Sequence, residues 1–155
     1  MAIEFEGDFT VPVSRGEAYA VLSDPQKFAP LLPTYQNLEM KDDGSADVTV
    51  KVGVGKIRGK ALVNLTLAEH EAPVRAAYTG KGKVMGGAFS MGTSFELEDA
   101  EGGGTLVKWH GDVTMFGKLV ALAGGLLKPI AKKDIERLID AVQAALSPGD
   151  ETDAA

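Results

Sequence analysis

The residues that could carry out chemistry are few in this sequence of 155 residues. It has two histidines and no cysteine, which excludes disulfides, thiol catalysis, iron–sulfur ligation and cysteine-based zinc sites. His70 lies in a predicted turn and His110 on the outer side of a predicted strand, with no partner at metal-ligand spacing. Glycine clusters at 53–55, 80–82 and 102–104 lie among predicted hairpins, whereas a phosphate-binding loop joins a strand to a helix. We therefore predict no catalytic residue, no metal and no cofactor.

The elements that must position any site are mostly strands. Residues 3–11 alternate between apolar and polar side chains, the period-two pattern of a strand with one wet face. Two short helices follow, beginning at Ser14 and Asp24, and the PLLP run at 30–33 forms a rigid connector. Six more strands are predicted between tight turns, at 35–41, 46–54, 57–68, 74–84, 88–98 and 105–115.

A single long helix is predicted over residues 117–146. Its second half carries one apolar stripe, with Lys132, Lys133 and Asp134 among the residues expected in solvent. Leu119 to Leu127 is apolar or glycine throughout, and Gly124-Gly125 and Pro129 predict a kink. The first half is expected beside Tyr78, Phe89 and Trp109.

An antiparallel meander with one apolar face needs a cover, and this helix alone is long enough. The sequence therefore predicts an α+β helix-grip fold: a curved antiparallel sheet of about seven strands around a long C-terminal helix, with two short helices after the first strand. Residues 1–146 are expected to form a single domain and residues 147–155 a disordered acidic tail.

Charge and hydropathy limit the partners and the cellular location that we expect. The net charge of −6 disfavours a nucleic-acid partner. The longest apolar run falls far short of the ~20 residues that span a bilayer, and the N-terminus lacks a signal-peptide pattern, so a soluble cytoplasmic protein is expected. Residues 51–83 hold seven bases and two acids. This basic stretch fits a solvated sheet face, which is routine, or a partner-docking patch at Lys56, Arg58 and Lys60.

The inward face of the predicted sheet carries no acid or base, so neither general acid–base nor nucleophilic catalysis is supported there. Its polar groups are the hydroxyls of Tyr78 and Thr93 and the indole of Trp109, which suit orienting a ligand. Small inward residues indicate either sharp curvature or a cavity, which would take an apolar ligand. The predicted lining is Phe5, Phe9, Leu31, Leu32, Ala61, Tyr78, Phe89, Met91, Thr93, Phe95, Trp109, Val113, Leu119, Leu122 and Leu126.

Several short motifs resemble the START/polyketide-cyclase (SRPBCC) superfamily, in particular its CoxG-like family, named for the CoxG subunit of carbon monoxide dehydrogenase. The resemblance spans residues 3–146 and rests on Gly7 and Phe9, Leu22 with Asp24-Pro25, Gly55 and Gly59, Gly86-Gly87 and Gly92, and Gly117-Lys118. The sequence departs from the family pattern in two places. Thr34 stands where the family usually has a loop glycine, and Gly124-Gly125 with Pro129 alters the usual last helix. The resemblance implies a non-enzymatic helper of a molybdenum hydroxylase, acting in maturation, membrane recruitment or quinone handling, and supplies no catalytic residues.

Three hypotheses follow. The first is a binding module for a lipid- or quinone-like molecule, with transient membrane contact and Gly124-Gly125 as a gate. The second is an assembly factor with a filled core, which docks a molybdenum hydroxylase through Lys56, Arg58 and Lys60 and the loop around Leu31-Leu32. The third is a cyclase- or hydrolase-type enzyme, which requires an inward acid or base such as a buried carboxylate or an inward His110.

Overall fold

The computed structural model describes residues 2–123 and 125–146, which form seven strands, four α-helices and two short 3-10 helices. In chain order these elements are β1 (Ala2–Val11), α1 (Arg15–Leu22), α2 (Pro25–Phe28), a 3-10 helix (Ala29–Leu31), β2 (Tyr35–Met40), β3 (Ala46–Val54), β4 (Ile57–Glu71), β5 (Arg75–Val84), β6 (Gly87–Asp99), a 3-10 helix (Glu101–Gly103), β7 (Thr105–Met115), α3 (Lys118–Ala123) and α4 (Leu127–Ala145).

The two short helices begin where the sequence predicts caps. The Ser14 side chain accepts a hydrogen bond from the Glu17 backbone N–H at 3.3 Å and so caps α1. Asp24 accepts from the Gln26 N–H at 2.9 Å and caps α2, whose first residue is Pro25. Both caps satisfy N–H groups that the first helical turn leaves without partners.

All seven strands form one antiparallel sheet in the order β1-β7-β6-β5-β4-β3-β2. Because the side-chain period of a strand is two, the apolar residues of every strand reach the same face. The α-helices cover that face: α4 lies along β1, where the Gln143 side chain donates to the Thr10 carbonyl at 3.1 Å. The predicted α+β helix-grip fold is confirmed.

The C-terminal helical region differs from the single kinked helix that we predicted, because α3 and α4 are separate helices. The glycine pair disfavours helix by about 1 kcal/mol per residue relative to alanine. The Leu126 N–H donates to the Ala123 carbonyl at 3.3 Å, which forms a turn between the helices. Pro129 lies in the first turn of α4, where its missing N–H breaks no helical hydrogen bond, so it helps to start a helix and does not kink one.

Two details around β4 and β5 also differ from prediction. Strand β4 extends to Glu71 past a register shift between Leu67 and Glu69, so His70 pairs with Ala76 in the sheet and does not lie in a turn. Val74, the first residue of the predicted strand 74–84, precedes β5 and is exposed. Residues 147–155, the predicted acidic tail, lie outside the described residues, and the single domain over 1–146 stays a prediction.

Candidate functional site

The apolar interior divides into two clusters. The first, which we call the α3 cluster, includes Leu119, Ala123 and Leu127 and the inward residues at one end of the sheet. The second, the α4 cluster, includes Val142 and Leu146 together with Tyr78, Phe95 and Val107. This division corrects the predicted contacts of the helical region. Phe89 does pack with the α3 cluster, but Tyr78 and Trp109 pack with the second half of the helical region and not with its first half.

Between the two clusters runs a row of residues that pair across the sheet, Phe5 with Gly111 and Gly111 with Thr93. Thr93 pairs in turn with Tyr78 of the α4 cluster. Phe5 and Thr93 are only half-buried. In the described part of the chain, Phe5 and Ile135 of α4 are half-buried apolar residues that belong to neither cluster. We call the region formed by Phe5, Gly111 and Thr93 on the sheet and by Ile135 on α4 the seam.

Gly111 is the open position of the sheet within the seam. A Cβ atom added at Gly111 would have one heavy atom within 4 Å, the Gly92 carbonyl oxygen at 3.8 Å. Other inward glycines are covered by cross-strand neighbours: the Phe89 ring lies over Gly82, Met91 Cγ would be 2.8 Å from a Cβ at Gly80, and the indole of Trp109 covers Gly7. These inward glycines therefore provide room for large side chains of this protein, whereas the position above Gly111 is left uncovered.

The helix contributes a carboxylate to the seam. Ile130 packs against the α3 cluster and Leu138 against the α4 cluster, and Asp134 lies midway between them at four-residue spacing, hence on the same side of α4. Burial raises the pKa of Asp134, and the Arg137 guanidinium, 3.8 Å away, opposes that shift. Its side chain is 41% exposed. Asp134, which the sequence places in solvent, is therefore only partly exposed.

Tyr78 and Trp109, two of the three polar residues predicted on the inward face, differ in whether their hydrogen-bond donor already has a partner. The Tyr78 hydroxyl is buried and donates to the Leu22 carbonyl at 2.7 Å, and its ring stacks on Phe28 with centroids 5.3 Å apart. Burial raises the pKa of this phenol. Trp109 Nε1 is a buried donor with no hydrogen-bond partner in the described structure. Tyr78 thus serves the core, whereas the Trp109 N–H is available to an acceptor.

The fifteen predicted lining residues fall into three groups by exposure. Fully packed in the clusters are Phe9, Ala61, Tyr78, Phe95 and Leu119. Half-buried are Phe5, Leu31, Leu32, Phe89, Met91, Thr93, Trp109, Val113 and Leu122. Leu126 is 49% exposed, next to Gly125 in the link between α3 and α4. Gly124, half of the hypothesised gate, lies outside the described residues.

Two surface depressions lie away from the seam. One, of about 490 Å³, is lined by Arg15, Glu71, Val74, Arg75, Glu96, Leu97, Glu98 and Asp99, and the other, of about 420 Å³, by residues near Pro12 and Gly102. In the first, Arg75 contacts Glu69 at 3.1 Å and Glu96 at 3.0 Å, and Arg15 contacts Asp99 at 2.9 Å. Neither depression includes a predicted lining residue. We place the candidate site at the seam because half-buried apolar residues, Phe5 and Ile135, belong to it and Gly111 is an open position on its inward face, whereas the charges of the depressions pair with one another in solvent.

The described residues, 2–123 and 125–146, show neither a metal-binding group nor a helix that could cross a membrane. That part of the chain brings no three His, Cys, Asp or Glu side chains together in a group that could hold a metal ion. His110 is on the outer face, with Nε2 3.9 Å from a Glu4 carboxylate oxygen. None of the helices described combines the length and apolar character needed to cross a bilayer.

The residues of the predicted docking patch are all exposed. The Lys56 N–H donates to the Leu122 carbonyl at 2.9 Å, and the Arg58 N–H donates to Met85 Sδ at 3.1 Å. Lys60 pairs with Lys51 on the outer face of the sheet. The patch therefore adjoins α3 and the turn between β5 and β6.

An antiparallel sheet that wraps a C-terminal helix over a partly open apolar interior defines a START-like helix-grip protein. Solved structures support this class. A conserved protein from Geobacillus kaustophilus has a TM-score of 0.80 at 16% identity and covers 93% of this chain and 95% of its own. A START superfamily protein from Mycobacterium smegmatis has a TM-score of 0.63 at 15% identity, covering 92% and 96%.

Within that class the chain belongs to the CoxG family, that of the carbon monoxide dehydrogenase CoxG subunit, whose pattern matches residues 7–147. The predicted family is thereby confirmed. Proteins with the CoxG and START-like folds are generally binding proteins without catalytic activity. No match was found among curated proteins.

The burial of Asp134 predicts a pH-dependent stability. Because its folded-state pKa is raised, the ionised form is disfavoured in the folded protein, so stability falls as the pH rises from the ordinary Asp value of 3.8 to the folded-state value. Asp134→Asn should therefore stabilise the protein at pH 7, by no more than about 1 kcal/mol because solvent screens a partly exposed group. The gain in stability should disappear when the pH is below the ordinary Asp pKa of 3.8, where Asp134 is protonated in both the folded and the unfolded protein.

Chemical denaturation at pH 7 and at pH 3 measures this difference. Asp140→Asn, on the exposed side of α4, is the matched control and should change stability little at either pH. A stability gain for Asp134→Asn that is equal at both pH values would contradict the conclusion that burial raises the pKa of Asp134.

Proposed function

We propose that this protein binds a lipid- or quinone-like molecule at the seam. The observation that carries the proposal is the open position at Gly111, beside half-buried Phe5 and between residues of the two packed apolar clusters. Ordered apolar side chains that remain half-exposed toward an interior are stabilised by an apolar ligand that removes them from water.

The polar groups at the seam suggest an amphiphilic ligand. The Thr93 hydroxyl and the Asp134 carboxyl lie on its sheet and helix sides, so a hydroxyl or carbonyl head group can form hydrogen bonds while the rest of the ligand contacts Phe5 and Ile135. An anionic head group is disfavoured beside Asp134, because its charge and that of the ionised carboxylate repel each other.

We propose a carrier role without catalysis. Asp134 supplies the inward carboxyl that the enzyme hypothesis requires, but His110 is on the outer face and the Tyr78 hydroxyl donates to the Leu22 carbonyl. General acid–base and nucleophilic catalysis both use a partner group to pass a proton on. Membership of the CoxG family supports a role in assisting a molybdenum hydroxylase of the carbon monoxide dehydrogenase type, in maturation, membrane recruitment or quinone handling.

The test is direct analysis of the bound molecule. Purified protein is incubated with decylubiquinone and with phospholipids, separated from free ligand and examined by native mass spectrometry and by organic extraction. A complex with about one bound molecule per chain is the expected result. Protein that stays empty after incubation with both classes of ligand would overturn the proposal.

The assembly-factor hypothesis has its own support, because Lys56 and Arg58 are exposed beside α3. Whether this protein captures a co-expressed carbon monoxide dehydrogenase-type enzyme distinguishes the assembly-factor hypothesis from ligand binding. Reversing Lys56, Arg58 and Lys60 to Glu should abolish capture and leave ligand content unchanged if these residues dock the enzyme.

A further inference from the structure

Trp109 differs from the other polar groups of the interior. It is the one tryptophan of the chain. Among residues 2–123 and 125–146, its Nε1 is the one buried side-chain nitrogen or oxygen without a hydrogen-bond partner. A donor that has left water without gaining an acceptor is costly, and folded proteins keep few of them. Each such group therefore requires an explanation.

Two hydroxyls buried in the same interior are paired. The Tyr78 hydroxyl donates to the Leu22 carbonyl at 2.7 Å, and the Thr105 hydroxyl donates to the Val13 carbonyl at 2.8 Å. Both bonds join residues far apart in the sequence, so this fold places backbone acceptors where its buried donors need them. The indole of Trp109 is the exception to that pattern.

The indole lies beside the seam. Trp109 and Gly111 are two residues apart on β7, so both face inward. Trp109 pairs with Gly7, the next inward position of β1 after Phe5. A Cβ atom added at Gly7 would lie 3.0 Å from Cζ2 of the indole and 3.2 Å from Nε1. The nitrogen side of the ring is therefore above β1, next to Phe5 of the seam.

The chain places no side-chain acceptor in the positions that flank Trp109 on the sheet. Its cross-strand partners are Gly7 on β1 and Phe95 on β6, and Gly111 follows on β7, and none of these side chains carries oxygen. The backbone carbonyls that face each other in β1 and β7 take part in the hydrogen bonds of the sheet. An acceptor for Nε1 must therefore come from another molecule.

We propose that Trp109 determines the specificity of the seam, by donating a hydrogen bond from Nε1 to a neutral oxygen acceptor of the ligand, such as a carbonyl. This inference rests on the proposed ligand site and names the group that its ligand carries. Because an indole N–H is a donor only, it selects an acceptor and rejects a hydrocarbon or an ammonium group at that position. Asp134, on the helix side of the seam, disfavours an anionic acceptor.

The burial of Nε1 strengthens this selection. The fold already holds the N–H out of water, so the cost of removing its hydration is met during folding and not during binding. A ligand displaces the side chains that cover Nε1, and its acceptor then gains the whole hydrogen bond. A ligand without an acceptor leaves the donor unpaired and gains only from apolar contact.

The test compares 2-nonanone with nonane, two volatile compounds of equal length that differ in one carbonyl. Headspace gas chromatography over the full-length protein measures the free concentration of each compound and so gives both affinities. Trp109→Phe should lower the affinity for 2-nonanone about fivefold, as expected for one neutral hydrogen bond, and change that for nonane by less than about twofold. Equal changes for the two compounds would overturn the proposal.

Replacement of Trp109 by 3-benzothienylalanine separates the hydrogen bond from the shape of the ring, because sulfur takes the place of the N–H at nearly constant size. This variant should lose affinity for 2-nonanone as Trp109→Phe does. Without ligand it should be at least as stable as the wild type in chemical denaturation, since no hydrogen bond within the chain is lost. A loss of stability would show that Nε1 has a partner in the protein, and would overturn the proposal.

The single indole N–H gives one proton resonance, which reports on the bond directly. Saturation with 2-nonanone should move this resonance downfield, and nonane should move it little. If both compounds bind and the resonance moves equally with each, the role of Trp109 is overturned and the ligand site is retained. If neither compound binds, the seam fails as a ligand site and this inference fails with it.

Discussion

Gly111→Leu is expected to empty the protein of its apolar ligand. The added side chain projects from the inward face of β7 into the space between Phe5 and Thr93, where only the Gly92 carbonyl oxygen lies near the new Cβ. A leucine there occupies the volume that we assign to the ligand. We expect the amount of bound ligand to fall at least about tenfold, because a filled apolar site offers no further surface to bury.

Stability separates this effect from misfolding. Gly111→Leu replaces a strand glycine at an open position, so the free energy of unfolding without ligand should change by less than about 1 kcal/mol. Gly53→Leu is the matched control, since Gly53 is an exposed strand glycine whose Cβ would lie 3.8 Å from Arg58 Nη1. The control should keep its ligand. Undiminished ligand content in Gly111→Leu would remove Gly111 from the site.

Gly55→Ala is expected to cause the largest loss of stability from a single methyl group. Gly55 has a φ of +59°, and an added Cβ would lie 2.6 Å from the Leu122 carbonyl oxygen and 2.8 Å from that of Ala123. The left-handed conformation alone costs alanine about 1–2 kcal/mol. The clash adds to this, because both contacted atoms are backbone. We expect a total loss of about 3 kcal/mol, since overpacking typically costs 1–3 kcal/mol.

The expected structural consequence is displacement of α3. The hydrogen bond from the Lys56 N–H to the Leu122 carbonyl connects this helix to the β3–β4 turn, so amide exchange should accelerate through α3. Gly44→Ala is the matched control: Gly44 has a φ of +87° but nothing lies within 4 Å of an added Cβ, so it should lose only about 1–2 kcal/mol. Equal losses in the two variants, measured by denaturation, would show that α3 is not held by this contact.

The sheet could be predicted from sequence because strand periodicity is local. Alternation at residues 3–11 and turn residues such as Asp43-Gly44 assign both the faces and the connections, and short turns leave antiparallel pairing as the natural arrangement. The interior lining follows from the same parity. Its division into two clusters does not, because it depends on where α3 ends and α4 begins.

Two parts of the site were beyond sequence reasoning for physical reasons. Lys132, Lys133 and Asp134 form a charged run that suggests solvent, yet three consecutive helical residues span about 200° of the helix surface at roughly 100° per residue, so one of them can turn inward. Inward glycines also look identical in sequence, although their surroundings differ. The Phe89 ring covers Gly82, whereas no side chain covers Gly111. That difference depends on side-chain conformations across neighbouring strands.

The central claim is that the ligand lies at the seam, and amide chemical shifts measured during titration with decylubiquinone test it most directly. We predict that the largest shifts occur at Phe5, Thr93, Gly111 and Ile135, with smaller ones in the packed α4 cluster around Tyr78 and Val107. Shifts concentrated around Arg75 and Glu96, or none at saturating ligand, would contradict the account.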